Sequence, residues 1–364
     1  MKRIGLLTSG GDCQGLNTAL RGVAKALYEG VPDIELIGFR DGYRGLIESD
    51  YRVMKPVDFT GILTIGGTIL GTSRQPFKLM KTPADPAKPD GPTKLDCMLA
   101  TCQKMKLDGL VILGGNGTHK TAQMLAENGI NVVTLPKTID NDLVGTEMTF
   151  GFQSAINIAT TVIDSIHTTA TSHGRVFIIE LMGHKAGWLT LHAGVAGGAD
   201  VILIPELPYD LNLVVEALEK RKREQKRFSI IAVAEGALSV EEAAMGKKEL
   251  LKTRSSWKYP SVAYKLAHDL GESLGTEIRV TVPGHYQRGG QPCPFDRVLA
   301  TAFGTAAAEL VIKGKYGYMV GWQKHEVVPV PLSEVAGKLK QVPANDMMVR
   351  SALALGVSFG CKMT

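Results

Sequence analysis

The chain has 364 residues, 44% hydrophobic and 21% charged, which predicts a globular protein of two domains with full apolar cores. No segment approaches the roughly 18 consecutive apolar residues of a membrane-spanning helix, and the first apolar run is too short for a signal peptide, so no membrane partner is expected. Five cysteines at scattered positions make neither a disulfide framework nor a CxxC pair and point to a reducing cytoplasm, while a net charge of +5 without aromatic-interleaved basic runs gives no case for nucleic acid.

In chain order the expected strands are Arg3–Thr8, Glu35–Phe39, Leu110–Leu113, Val132–Leu135, Arg175–Leu181, Val201–Pro205, Ser229–Ala234 and Ile278–Val282. Helical patterns fill the gaps, among them Leu16–Leu27, Thr118–Glu127 and Gln153–His167. Several strands are apolar throughout, as in parallel sheets covered on both faces, and the βαβ rhythm predicts a doubly wound α/β fold. The four prolines of Lys81–Pro92 mark an exposed loop. The basic run Lys220–Arg227 closes a helix that begins near Asp210, where cations suit the helix dipole. Ala237–Ser273 is helical and polar, and reads as an insertion between two strands.

The chemistry is concentrated where strands end. Thr8 leads into Ser9-Gly10-Gly11-Asp12-Cys13-Gln14-Gly15, and Leu113 into Gly114-Gly115-Asn116-Gly117-Thr118, each followed by a helix. Glycines let backbone amides approach a ligand, and a helix N-terminus favours phosphate. Gly66–Arg74 adds a guanidinium able to pair with phosphate bidentately. The apolar run Val132–Leu135 passes into Pro136-Lys137-Thr138-Ile139-Asp140-Asn141-Asp142, placing two carboxylates and an ammonium at a strand's carboxyl end, where open α/β sheets bind ligands. Met182–Trp188, Glu235 and Gly284–Gly290 follow three further strands. None of these turns is a GxGxxG or GxxxxGK[ST] motif, and there is no HExxH or Cys/His cluster for zinc.

Taken together these pieces, with Ser172–Arg175 and Ala196–Ala199, resemble the 6-phosphofructokinases, in family order over roughly residues 1–300. The resemblance implies two doubly wound, three-layer α/β/α domains with an interdomain active-site cleft. Residues 1–151 plus about 287–337 would bind the donor, and residues 152–286 plus about 338–364 the sugar phosphate. Asp140 would be the base that takes the proton from the sugar 1-hydroxyl, flanked by Thr138 and by Asp142, which would help to hold Mg²⁺ through water. Gly11, Arg74, Gln75, Gly115, Asn116, Gly117 and Thr118 would cradle the phosphates of ATP. Thr138, Asp140, Met182, Gly183, His184, Glu235, His285 and Arg288 would hold fructose 6-phosphate. Arg175 and Arg279 would reach the 6-phosphate of a neighbouring subunit, which implies a homodimer or homotetramer with shared active sites.

The chain also departs from the family pattern. Asn116 stands where an Asp is usual, offering Mg²⁺ a neutral carbonyl oxygen instead of a charge. His184 stands where an Arg is usual. Donor choice turns on Gly117, which leaves room for a nucleotide α-phosphate, and on Lys137, a residue shared with pyrophosphate-using relatives. ATP is the expected donor and pyrophosphate the alternative. A catalytically weak regulatory subunit is the second alternative.

Overall fold

A computed structural model describes residues 1–275 and 277–362. The chain divides into two compact units, each built from separated stretches. The first holds Met1–Ile139, Leu143–Ser154 and Arg288–Leu339; the second holds Asp140–Asp142, Ala155–Gln287 and the chain from Lys340 onward. Twelve strands are formed by the described residues: β1 (Lys2–Thr8), β2 (Ile34–Phe39), β3 (Tyr51–Met54), β4 (Gly109–Gly114), β5 (Val132–Thr138), β6 (Phe150–Gly151), β7 (Val176–Leu181), β8 (Val201–Leu203), β9 (Ser229–Ala234), β10 (Ile278–Thr281), β11 (Tyr318–Gln323) and β12 (Glu326–Pro331).

In the first unit the strand order is β12-β11-β5-β4-β1-β2-β3, with β6 beside β5. The centre is parallel, as the apolar strands predict, and the edge pairs β2–β3 and β11–β12 are antiparallel. β4 is buried at every position, which explains its unbroken apolar sequence. The chain moves from β1 to β2 on one side and to β4 on the other. That reversal is a topological switch point, and ligands bind outside the carboxyl ends of the strands there.

The second unit is a four-stranded sheet of order β10-β7-β9-β8, parallel throughout. Its strands alternate between two cores. Ile179, Leu181, Ile230 and Ala232 pack on one side with Leu191 and Ile202, and Ile178, Ile231 and Val233 on the other with Val214 and Leu266. Both faces are therefore covered, giving three layers.

The helical segment after β9 is no insertion. Its helix Val262–Leu274 buries Val262, Ala263, Leu266 and Leu270 in the core shared with β7 and β9, and Ala263 N donates to the buried Glu180 carboxylate at 2.7 Å. β10 lies parallel to β7, so the chain needs a crossover to reach it, and this helix supplies one. Its polar composition belongs to the outer side and to the helix Lys247–Ser255, which buries no residue.

Candidate active site

In the first unit β1 and β4 end side by side, with Thr8 opposite Leu113. The glycine turns beyond them are laced to the loop Gly67–Arg74. Thr8 Oγ1 donates to Gly71 O and Thr72 Oγ1 to Gly10 O, both at 2.7 Å, while Gly10 N donates to Ser73 O at 3.1 Å. Gly115 caps the helix Asn116–Glu127 without a side chain, which leaves the first amides of the helix for an anion. A Cβ built on Gly117 meets nothing within 4 Å, so the turn is open where a donor would approach. Thr118, nearly buried, turns its hydroxyl back toward Ser9 O at 3.4 Å.

Two cations flank this loop. Lys137, 3% exposed on β5, donates its ammonium to Gly11 O. Arg288 donates from Nη1 to Asp12 O at 3.3 Å, and a Cβ on Gly11 would collide with that guanidinium, which would have to swing aside. Arg288, expected to hold the sugar phosphate, belongs to the unit that carries the glycine turns. Arg74 is exposed, and no ion pair engages it among the described residues. Gln75 Oε1 accepts from Lys94 Nζ at 3.3 Å.

His119, absent from the sequence expectations, lies one residue beyond the Gly114–Thr118 turn and is wholly buried. Gly115 O accepts from its backbone N–H at 3.0 Å and lies 2.8 Å from Nδ1, so Nδ1 carries the ring proton. Burial pushes its pKa down to about 4, against the pull of the Gly115 bond. The imidazole is therefore a neutral peg under the turn.

Thr138 is the last residue of β5, and its carbonyl accepts from Thr149 Oγ1 at 2.8 Å. Asp140, Asn141 and Asp142 are counted with the second unit. Asn141 turns the chain with a left-handed φ of 50°, a conformation Asn tolerates well, and Asn141 and Asp142 are 4% and 6% exposed.

The remaining residues of the second unit fall into two groups at opposite ends of its sheet. Met182, Gly183 and His184 follow the carboxyl end of β7. Gly183 has a φ of 142°, and His184 N donates to Glu235 Oε1 at 2.8 Å, which ties the loop to the carboxylate after β9. Met182 N donates to Oε1 of the buried Gln287 at 3.3 Å, and His285 is exposed three residues after Val282. Arg175, by contrast, precedes β7, and Arg279 on β10 lies opposite Phe177. At a strand rise of about 3.3 Å per residue, some 20 Å separate Arg175 from Met182 along β7. Both arginines pair with Glu277, at 3.4 and 2.8 Å. The structure thus gathers Met182, Gly183, His184 and Glu235, but keeps Arg175 and Arg279 apart from them within this chain.

Three further residues had no local signal in the sequence. Glu206 accepts from Gly187 N at 2.9 and 3.0 Å and from Val342 N at 2.9 Å; burial raises its pKa. Glu277 joins the two arginines. Lys340 contacts the Asp140–Asp142 turn.

Asn116 Nδ2 donates to Lys338 O at 2.6 Å, and its Oδ1 is buried with no partner among the described residues. A neutral oxygen of this kind fits a hard ion such as Mg²⁺ that keeps most of its shell as water and phosphate oxygens.

A doubly wound α/β protein that handles phosphate is the class this fold and these turns define. The family model described as phosphofructokinase matches residues 3–311. The chain is 55% identical over 363 residues to the ATP-dependent 6-phosphofructokinase of Spirochaeta thermophila, covering 99% of this chain and 98% of that protein. It is 46% identical over 377 residues to the ATP-dependent 6-phosphofructokinase of Propionibacterium freudenreichii, covering 98% and 99%. In fold it is similar to the crystal structure of the pyrophosphate-dependent phosphofructokinase of Nitrosospira multiformis, with a TM-score of 0.79, 22% identity, and coverage of 98% of this chain and 92% of that one. The chain belongs to the phosphofructokinase family.

Proposed function

We propose that the chain is an ATP-dependent 6-phosphofructokinase, acting in the cytoplasm, that transfers the γ-phosphoryl group of ATP to the 1-hydroxyl of fructose 6-phosphate in glycolysis. The observation that carries the reading is 55% identity, over 99% of the chain, to a protein named for that activity. The bare N-terminus of the helix Asn116–Glu127, open at Gly117, supports a nucleotide donor.

In this reading the first unit serves the donor and the second the sugar phosphate. Backbone amides of the Gly10–Gly11 and Gly115–Thr118 turns, with Lys137, Arg74 and Gln75, hold the donor phosphates. Asp140 accepts the proton of the 1-hydroxyl as its oxygen bonds to the γ-phosphorus, and the bond from that phosphorus to the β-phosphate oxygen breaks to leave ADP. Such a transfer depends mainly on positioning and charge neutralisation. Mg²⁺, when bound near Asn116 and Asp142, supplies charge neutralisation for the donor phosphates. Met182, Gly183, His184, Glu235, His285 and Arg288 hold the sugar phosphate. Arg175 and Arg279, at the far end of the sheet, serve a neighbouring copy in a homodimer or homotetramer.

Pyrophosphate use is the second reading, favoured by Lys137, whose ammonium sits on the Gly11 carbonyl and would suit a shorter donor. The catalytic assignment is tested with Asp140→Asn. Fructose 6-phosphate binding is expected to persist, while turnover falls at least about a hundredfold, the scale of a lost general base. Near-normal turnover in the purified variant would overturn the assignment.

A further inference from the structure

The turn that carries Asp140 is gripped by a segment far away in sequence, and the grip converges on one residue of the second unit. Lys340 N donates to Asp142 O at 2.8 Å. Its ammonium donates to Asn141 Oδ1 at 3.0 Å and lies 5.5 Å from the centre of the Trp188 ring. Its carbonyl accepts from Trp188 Nε1 at 3.0 Å. Lys340 therefore joins two loops, Asp140–Asp142 and the Met182–Trp188 segment. Glu206 reinforces the join two residues on, accepting from Gly187 N and Val342 N together.

The need for such a grip follows from the backbone. Asn141 holds a left-handed φ of 50°, so the direction of its neighbours Asp140 and Asp142 depends on a single less-populated conformation. A main-chain bond on Asp142 and a charged bond on the Asn141 side chain pin that conformation from both sides. The Trp188 bond then fixes the pinning residue to the loop that precedes the helix Trp188–Ala196. Groups that react must be held to well under an ångström, and a misplacement on that scale costs orders of magnitude in rate.

We infer that Lys340 is a positioning residue for phosphoryl transfer: it sets the Asp140–Asp142 turn against the Met182–Trp188 loop without itself touching the reacting atoms. This rests on the reading of Asp140 as the base. The role is specific to the ammonium and its bond to Asn141, since the backbone bond to Asp142 survives any substitution at position 340 other than proline.

The test compares Lys340→Met, Lys340→Arg, Asn141→Ala and Asp140→Asn in the full-length enzyme, by steady-state kinetics with fructose 6-phosphate and ATP and by thermal unfolding. Lys340→Met is expected to lower kcat about ten- to a hundredfold, the rate equivalent of one hydrogen bond to a charged group, with both KM values within about threefold of wild type. Lys340→Arg should recover most of the lost kcat, and adding Asn141→Ala to Lys340→Met should cost little more than either alone. A Lys340→Met enzyme with wild-type kcat overturns the proposal. So does a loss that tracks a lowered unfolding temperature and is not rescued by Arg. If Lys340→Met cannot be purified, Trp188→Phe takes its place. It removes the N–H on the Lys340 carbonyl and shrinks the ring beside the Lys340 ammonium, and it should lower kcat severalfold with KM unchanged; unchanged kcat there overturns the proposal too. Asp140→Asn keeps the two ideas separate: normal turnover in that variant sinks the base assignment, whereas loss there beside a fully active Lys340→Met sinks only the positioning role.

Discussion

Gly117 offers a substitution whose effect on folding and on donor use can be separated. A Cβ at this position meets nothing within 4 Å, and the residue is the second of the helix Asn116–Glu127, whose first turn carries no acidic side chain. Asp in the first turn complements the helix dipole by about 0.3–1 kcal/mol, and replacing an in-helix glycine removes a further penalty, so Gly117→Asp should be as stable as wild type or slightly more so. Donor use should change in the opposite sense. A carboxylate about 5 Å from a phosphate charge, at an effective dielectric constant of about 20, is repelled by roughly 3 kcal/mol. That corresponds to a loss of about a hundredfold or more in kcat/KM for ATP. The assay is coupled detection of fructose 1,6-bisphosphate at varied ATP, run beside thermal unfolding, with pyrophosphate as a second donor. Pyrophosphate use should fall less than ATP use, because it has no α-phosphate to meet the new charge. A Gly117→Asp enzyme that keeps kcat/KM for ATP within about threefold would refute the placement of the nucleotide phosphates at this helix end. A large drop in unfolding temperature would refute the open-space reading of the turn.

Arg175→Ala and Arg279→Ala should raise KM for fructose 6-phosphate far more than for ATP, and mixing inactive Arg175→Ala subunits with inactive Asp140→Asn subunits should restore activity; no recovery under conditions of proven subunit exchange would assign each chain a complete site. Glu277→Gln frees both arginines from their carboxylate and should lower KM for fructose 6-phosphate, with an unchanged KM counting against competition between Glu277 and the 6-phosphate. His119 gives a pH signature. Its folded pKa of about 4 lies below the ordinary 6.5, so the unfolded chain binds the extra proton between these values, and stability rises with pH across that window. The contribution is complete above about pH 6.5 and is lost as pH falls through 4, up to about 3 kcal/mol in all. Urea unfolding midpoints should therefore fall less steeply from pH 7 to 5 in His119→Gln than in wild type; parallel profiles would contradict the buried neutral imidazole. Gly11→Ala should displace the Arg288 guanidinium and weaken substrate binding, and a Gly11→Ala variant with unchanged KM values would count against a binding role for Arg288 in that position.

Much of the fold was legible because apolar runs in a parallel sheet are buried on both faces and carry no ambiguity of register. β1, β2, β4, β5 and β7 to β9 stand where such runs occur, and β10 stands at its expected place although it is a partly exposed edge strand. The strands that escaped are the two-residue β6 beside β5 and the strands at or next to the edges of the first sheet. β3 has only four residues, two of them exposed, and the β11–β12 hairpin turns on Lys324 and His325, both left-handed, where an Asn-Gly pair would have announced the turn. The helix Val262–Leu274 was mistaken for part of an insertion because its buried stripe is narrow and its surroundings are polar. The glycine turns were legible because few other local sequences end a strand and open a helix with no side chain between. Lys340, Glu206 and Glu277 were not, since each acts on a loop more than a hundred residues away or on a surface pair, and a lone Lys or Glu in a charged stretch looks the same as a solvated one.

The most direct test of the account is one donor comparison on the wild-type enzyme. Initial rates of fructose 1,6-bisphosphate formation are measured from fructose 6-phosphate and Mg²⁺, with ATP and with pyrophosphate at matched millimolar concentration. The account predicts rapid ATP-dependent formation and little or none from pyrophosphate. Faster turnover with pyrophosphate than with ATP would contradict it, and would make Lys137 on the Gly11 carbonyl, rather than the open space at Gly117, the feature that sets the donor.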